Sequence, residues 1–213
     1  MTKSLYLHDR LPSHMMDLIE RELSDNFDPL LEAAKVGNTE NFGSHEGRVD
    51  LSKRNSKTAW VPTTNWIGGL MWHYYNKVNN EIFHYDLDCI DGEAMQYTHY
   101  GLNEKYDWHR DEGLTTCYKP QSSGRFDPLE TEDFSKRNTE KIRKLSAIIQ
   151  LADPDDYEGG STQILNVDQS LYTIPKERGT IGFFDSRLKH RAKPVTNGLR
   201  KSLVIWAIGP RWR

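Results

Sequence analysis

Apolar positions change their period once along this chain. In "PSHMMDLIERELSDNF", Met15, Met16, Ile19, Leu23 and Phe27 recur at three- and four-residue intervals, which predicts an amphipathic helix with Ser13 as its N-cap. A second helix is predicted over "PTTNWIGGLMWHYYNKVNNEIF", where Trp66, Leu70, Tyr74, Val78 and Ile82 recur every four residues. His73 on that helix reads as structural. Residues 36–58 between the helices are polar and rich in Gly and Asn, as a loop with one edge strand would be. Their basic residues Arg48, Lys53, Arg54 and Lys57 predict a solvated face.

From residue 83 the period becomes two. "FHYDLDCI", "EAMQYTHYG", "KLSAIIQLADP", "STQILNV", "LYTIPKERGTIGFFDS" and "KSLVIWAIGP" are short and rich in β-branched and aromatic residues. Turn signals such as "DGE", "YEGGS" and "ERGT" separate them. Helices followed by many short strands predict a mainly β, α+β domain, a jelly roll or barrel with an N-terminal helical cover. No internal repeat or inter-domain linker is visible, so one domain is expected, with residues 1–82 as cover and 83–210 as β core. Residues 117–143 hold few apolar side chains and exceed the length usual for a loop in a compact domain. They are expected to form a mobile lid over a peptide-sized substrate, with a disordered insertion as the alternative.

Composition removes several function classes. With 213 residues the chain can bury a real core, and 11% aromatic residues argue against disorder. A net charge of −3 lacks the basic excess of a nucleic-acid-binding domain. No apolar run is long enough to span a membrane, and the N-terminus turns amphipathic too early for a signal peptide. Cys89 and Cys117 form neither a metal-ligand spacing nor a disulfide framework, so a soluble, cytoplasmic domain is expected.

The candidate chemistry lies in "KYDWHRDEG", where His109 stands two positions before Asp111. On a strand or its extended end, residues i and i+2 point the same way and can grip one ion. A second His-x-Asp, His84 and Asp86 in "FHYDLDC", shows that the tripeptide alone is weak. Two His and one carboxylate on one face form the triad that holds non-haem Fe(II) and leaves positions open for substrate and oxygen. His190, between the strand "TIGFFDS" and a proline bend, is placed to be the distant third ligand. Arg200 and Ser202 share a face at the start of "SLVIWAI", where a guanidinium fork and a hydroxyl suit the far carboxylate of a dicarboxylic acid.

Two longer patterns carry a resemblance. One is Q-x-x-x-Y-G-x-x-x-x-Y-x-x-H-x-D, formed by Gln96, Tyr100, Gly101, Tyr106, His109 and Asp111. After "YEGGST" comes H-x-x-x-P-V-x-x-G-x-R, formed by His190, Pro194, Val195, Gly198 and Arg200. Together they resemble the 2-oxoglutarate and Fe(II)-dependent oxygenases, most of all the prolyl 4-hydroxylase-like group, over residues 83–210. The resemblance implies a double-stranded β-helix with helices packed on one sheet. It implies Fe(II) held by His109, Asp111 and His190, and the 2-oxoglutarate C5 carboxylate held by Arg200. Tyr100 would bond the co-substrate, and Tyr106 and Trp206 would line the pocket; Ser202 joins the co-substrate site on strand geometry. His84 lacks the paired tyrosines upstream and reads as part of a structural strand. Some relatives place a co-substrate-contacting Tyr on the strand after the first ligand pair; here Ser146 partly replaces it.

The implied activity is hydroxylation of a C–H bond, in a prolyl or other residue of a protein or peptide, using O2 and 2-oxoglutarate and releasing succinate and CO2. The alternatives are a small-molecule or free amino-acid hydroxylase of the same superfamily and a non-enzymatic cupin-like binding module.

Overall fold

The computed structural model describes residues 5–8, 10–36, 49–90, 95–112 and 141–212. The cover region carries β1 (Leu5–His8), α1 (Ser13–Phe27), β2 (Glu32–Ala33), β3 (Arg54–Asn55), β4 (Lys57–Val61) and α2 (Trp66–Val78). Then come β5 (Cys89–Ile90), β6 (Met95–Tyr100), β7 (Lys105–His109), β8 (Lys141–Gln150), β9 (Tyr157–Gly159) and β10 (Thr162–Leu165). The chain closes with β11 (Leu171–Thr173), β12 (Ile181–Asp185), β13 (Lys189–Ala192), β14 (Val195–Gly198) and β15 (Arg200–Pro210). The major sheet runs β1-β12-β8-β15-β6-β4-β2, with β5 also on β15; the minor sheet runs β11-β10-β13-β7-β3, and β14 pairs β9. The strands in these sheets pair antiparallel, and two facing sheets make the expected double-stranded β-helix.

Alternation along the major sheet separates stability from chemistry. Leu203, Ile205 and Ala207 of β15, with Leu145, Ala147 and Ile149 of β8 and Met95 and Tyr97 of β6, face one side. Met16, Ile19, Leu23 and Phe27 of α1 and Ile67, Met71, Tyr75 and Val78 of α2 close over them to form the large core. Residues of the opposite parity, Arg200, Ser202, Val204 and Trp206, face the space between the sheets. That space holds only two small apolar clusters, one around Tyr100 and Val195 and one around Ile164 and Phe184.

Local chemistry departs from the sequence reading at several points. Pro12, not Ser13, occupies the α1 N-cap position, without a side-chain cap bond. The buried stripe of α2 is Ile67-Met71-Tyr75-Val78, one residue on from the Trp66-Leu70-Tyr74 row, and Trp66 is exposed. Both rows are apolar, and the Tyr75 hydroxyl selects between them by donating to the Ile205 carbonyl at 2.8 Å. Asn65 caps this helix by accepting from the Ile67 amide. Residues 83–88 are not strand. Asn79 bonds both backbone polar groups of Tyr85 at 2.8 Å, and His84 adopts a left-handed φ of 55°. Residues 36–58 supply β3, an edge strand of the minor sheet, and the first two residues of β4, which lies inside the major sheet. Of the expected lid, residues 117–140 lie outside the described residues, while Lys141–Arg143 begin β8. Among the described residues no helix is long and apolar enough to cross a membrane.

The α1 end is fastened to the sheet by a polar cluster. His99 Nε2 lies 2.7 Å from the Tyr97 hydroxyl and 3.5 Å from Asp28 Oδ1. Burial pushes the His99 pKa from 6.5 down to about 4, against the pull of Asp28 and helped by Lys201 and Lys57. Between those values the unfolded chain binds a proton that the folded chain refuses, so this term destabilises the fold as pH falls from 6.5 towards 4. Wild type should therefore lose urea midpoint more steeply over that window than His99→Gln. Parallel midpoint curves for the two proteins would remove His99 as the cause.

Candidate active site

The antiparallel pairing of β13 with β7 sets His190 directly opposite His109. Asp111 lies two residues past the end of β7, and the amides of Asp111 and Glu112 both donate to the Ser186 carbonyl at 3.1 Å. Asp111 Oδ1 is 3.5 Å from His190 Nε2 and 3.8 Å from His109 Nε2, and the three ligand atoms lie within 4.8 Å of one another. His109 Nδ1 faces the Asp107 carbonyl at 2.8 Å, and His190 Nδ1 faces the Leu188 carbonyl at 3.1 Å. A carbonyl only accepts, so each Nδ1 carries a proton and each Nε2 points at the shared centre. The other carboxylate oxygen, Oδ2, accepts from the Ser146 hydroxyl at 2.6 Å, and Ser146 is linked to Ser186 at 2.9 Å. Asp111 thus presents one oxygen to the centre and has the other fixed behind it.

A bulge shapes the near wall. Ala192 pairs with Tyr106 while His190 pairs with His109, so three steps of β7 oppose two of β13. Strict alternation would put Tyr106 and His109 on opposite faces. The extra residue brings them together, with ring centroids 3.5 Å apart and planes within 13°.

Electrostatics within the triad are asymmetric. Burial and the neighbouring His190 push His109 down to about 3. Burial alone would raise the Asp111 pKa, but the two imidazoles and the Ser146 hydroxyl hold it well below the usual carboxylate range. His190 is raised, because Asp111 outweighs the cost of burying its charge. Asp111 lies closer to His190 than to His109 and favours its protonated form. A cation fits the same centre, with the two Nε2 atoms and the Asp111 carboxylate as donors.

The second feature is Arg200, which is only 1% exposed. Its Nη2 donates to Gln150 Oε1 at 3.2 Å and to Thr162 Oγ1 at 2.9 Å, and the Tyr157 hydroxyl also accepts from this guanidinium. The Tyr100 ring, on the partner residue across the β15–β6 ladder, lies 5.2 Å away. Gly160, with a left-handed φ of 59°, leaves the guanidinium room, since a Cβ there would lie 3.0 Å from Arg200 Cδ. These partners are all neutral, and Arg200 Nε and the Ser202 hydroxyl are buried with no hydrogen-bond partner among the described residues. A buried cation beside an orphan donor and an orphan hydroxyl is what a carboxylate satisfies, so the residues present fit the far end of 2-oxoglutarate.

The structure therefore brings together His109, Asp111 and His190, and places Tyr100, Arg200 and Ser202 on the same interior face. Trp206 lies further along β15, 4% exposed, with Arg143 stacked 3.6 Å from its ring and Trp60 at 6.4 Å. Ser146 bonds the Asp111 carboxylate, while the residues that contact Arg200 are Gln150 and Tyr157. Arg54 is not part of a solvated face: it is 4% exposed and stacks over Tyr106 at 4.5 Å. The roles of Gln150, Arg54 and of Tyr157 and Thr162 in "YEGGST" escaped the sequence reading, because the contacts that define them form only when the strands assemble. His73 and His84 are exposed and belong to no metal-holding group among the described residues.

Comparison with known proteins agrees with this geometry. The family model for the 2OG-Fe(II) oxygenase superfamily matches residues 95–208, which include the triad, Tyr100, Arg200 and Ser202. A "PKHD-type hydroxylase" of Pseudomonas fluorescens is 29% identical over 94 residues, which are 44% of this chain and 41% of that protein. The match thus spans less than half of the relative's length. The fold is shared with a prolyl-4-hydroxylase of Pseudomonas putida, at TM-score 0.66 and 15% identity, covering 98% of this chain and 94% of the other. It is shared also with a prolyl hydroxylase of Trichoplax adhaerens solved with a hypoxia inducible factor peptide fragment, at TM-score 0.68 and 12% identity, covering 96% and 83%. A viral collagen prolyl hydroxylase of Paramecium Bursaria Chlorella virus-1, solved with 2OG, aligns at TM-score 0.61 and 17% identity, covering 98% and 97%. With over half its length matched to that one model, the chain belongs to the 2OG-Fe(II) oxygenase superfamily, and its cofactors are Fe(II) and 2-oxoglutarate.

Proposed function

We propose that this oxygenase hydroxylates a C–H bond of a prolyl or other residue in a protein or peptide, turning 2-oxoglutarate and O2 into succinate and CO2. The observation that carries the reading is the placement of an orphaned, buried Arg200–Ser202 pair on the interior face that also holds the His109-Asp111-His190 cluster. The peptide substrate is favoured by the named activities of the fold neighbours, prolyl hydroxylases of which one was solved with a peptide. Residues 1–82 and 83–210 then serve as cover and catalytic core of one domain.

His109, Asp111 and His190 would hold Fe(II), which when bound would activate O2, the oxidant of the reaction. Everything else falls to the chain. Ser146 keeps Asp111 Oδ2 occupied, so the carboxylate offers a single oxygen. Arg200 and Ser202 anchor the co-substrate by its distal carboxylate, and Tyr100 closes over that end. Tyr106 and Trp206 wall the opposite side, where a substrate C–H must be presented and water kept out.

His109→Ala, Asp111→Ala and His190→Ala should each abolish Fe(II)-dependent succinate formation, while His73→Ala and His84→Ala keep it. A folded but inactive His84→Ala protein beside an active His109→Ala protein would overturn the metal assignment.

Arg200→Ala should weaken 2-oxoglutarate binding by at least about tenfold, the loss of a charge-assisted pair worth roughly 1.5–3 kcal/mol. Gly160→Ala should act in the same direction by crowding the guanidinium. Anaerobic titration followed by the metal-to-ligand charge-transfer band measures both, and unchanged affinity in Arg200→Ala would take that residue out of the site.

A further inference from the structure

A second set of orphaned donors faces the same interior, away from Arg200. Arg54 Nη2 and Trp206 Nε1 are both buried without a hydrogen-bond partner among the described residues. The rest of the Arg54 guanidinium finds only neutral acceptors: Nε donates to Ser56 Oγ at 3.1 Å, and Nη1 makes long bonds to Gln96 Oε1 at 3.4 Å and the Lys35 carbonyl at 3.5 Å. No carboxylate among the described residues lies within ion-pair distance of Arg54. Its stacking partner Tyr106 offers an attractive face but no counter-charge. Burial pushes that phenol up to about 12, so it stays neutral.

The position of this cation matters as much as its isolation. Arg54, Tyr106 and His109 form a three-layer stack, at 4.5 Å and then 3.5 Å, so the guanidinium lies one aromatic ring away from a metal ligand. Gln96, the Arg54 acceptor, sits opposite Trp60 and Val204 in the major sheet, and Trp60 contacts Trp206. Arg143 completes the wall over Trp206. The proposed function leaves this charge unused: iron(II), the Asp111 carboxylate, a 2-oxoglutarate dianion and Arg200 together carry no net charge. A buried cation demands an anion.

We propose that Arg54 is a second carboxylate anchor, and that the primary substrate carries an acidic group which it grips beside the metal. This rests on the oxygenase reading above and narrows its substrate class. The carboxylate takes the free Nη2 hydrogen, and the Trp206 indole N–H stands on the same wall as a further donor. The acid has two possible sources, a terminal or small-molecule carboxylate and an acidic side chain next to the target residue.

Matched probes separate these sources when titrated calorimetrically into the full chain loaded anaerobically with Fe(II) and 2-oxoglutarate. Butyrate against butyramide and N-acetylproline against N-acetylprolinamide test a free carboxylate. Acetyl-Asp-Pro-amide against acetyl-Asn-Pro-amide, with the reversed order Pro-Asp against Pro-Asn, tests a side chain. In at least one pair the acid should bind about tenfold or more tightly than its amide. Arg54→Gln should shrink that ratio to below about twofold, Arg54→Lys should retain part of it, and the charge-transfer band should keep wild-type 2-oxoglutarate affinity in both variants. Equal affinity of acid and amide in every pair, or an undiminished preference in Arg54→Gln, would overturn the proposal. Failure of the oxygenase reading shows separately, as a wild-type protein that forms no charge-transfer band.

Discussion

His190 and His109 meet because β13 and β7 pair antiparallel in one register, and almost every chemical feature of the site follows from that pairing. A slip of one residue in either strand would turn its imidazole to the far side of the minor sheet, away from the other. The same ladder contains the bulge that carries Tyr106 onto the His109 ring, and through Tyr106 it fixes where Arg54 rests. Asp111 lies outside the ladder and needs its own restraints. The Ser186 carbonyl holds its amide and the Ser146 hydroxyl its outer oxygen, both from the major sheet side. The triad is therefore a junction between the sheets, with the two imidazoles supplied by one sheet and the carboxylate clamped by the other.

Charge explains why the interior tolerates such polar residues. Asp111 is buried among two histidines and a hydroxyl and keeps its charge because they favour the anion more than burial opposes it. At the other extreme Arg200 keeps four neutral neighbours, Gln150, Thr162, Tyr157 and Tyr100, which orient a guanidinium without neutralising it. A resident carboxylate would satisfy that charge permanently and close the pocket to an anionic ligand. Arg200 Nε and Ser202 Oγ lack a partner among the described residues, an arrangement that costs stability and that the proposed co-substrate carboxylate would relieve.

Much of this was legible in the sequence, for definite physical reasons. His109 and Asp111 are local neighbours, and Arg200 follows His190 by ten residues with Pro194, Val195 and Gly198 between, a spacing visible in the sequence. Strand periodicity located β6, β8, β12 and β15 because each buries side chains on at least one face. The failures share a different cause. Arg54 stands in a run of charged residues that looks solvated, and only the pairing of β3 with β7 puts it under Tyr106. The β7 bulge has no signature in "KYDWHRDEG", and without it Tyr106 seems to point away from His109. Two apolar rows compete on α2, and the choice between them lies in a tertiary hydrogen bond from Tyr75. Residues 83–88 carry strand-forming side chains, yet Asn79 satisfies their backbone locally and no ladder forms.

The division of labour between the two faces of the major sheet explains how its inner face can be so polar. On β15, Leu203, Ile205 and Ala207 belong to the core under the helices, while Arg200, Ser202 and Trp206 are each one residue away and belong to the site. Apolar burial, the dominant stabilising term, is concentrated outside the barrel between sheet and helices. The interior is then free to carry orphaned donors and unpaired cations that a sole core could not accommodate. The N-terminal helices pack on the face of the major sheet opposite Arg200, Ser202 and Trp206. By holding the sheet from behind, they allow its inner face to be chosen for chemistry, and a polar residue such as Arg54 or Ser146 can persist there at a cost the outer core absorbs.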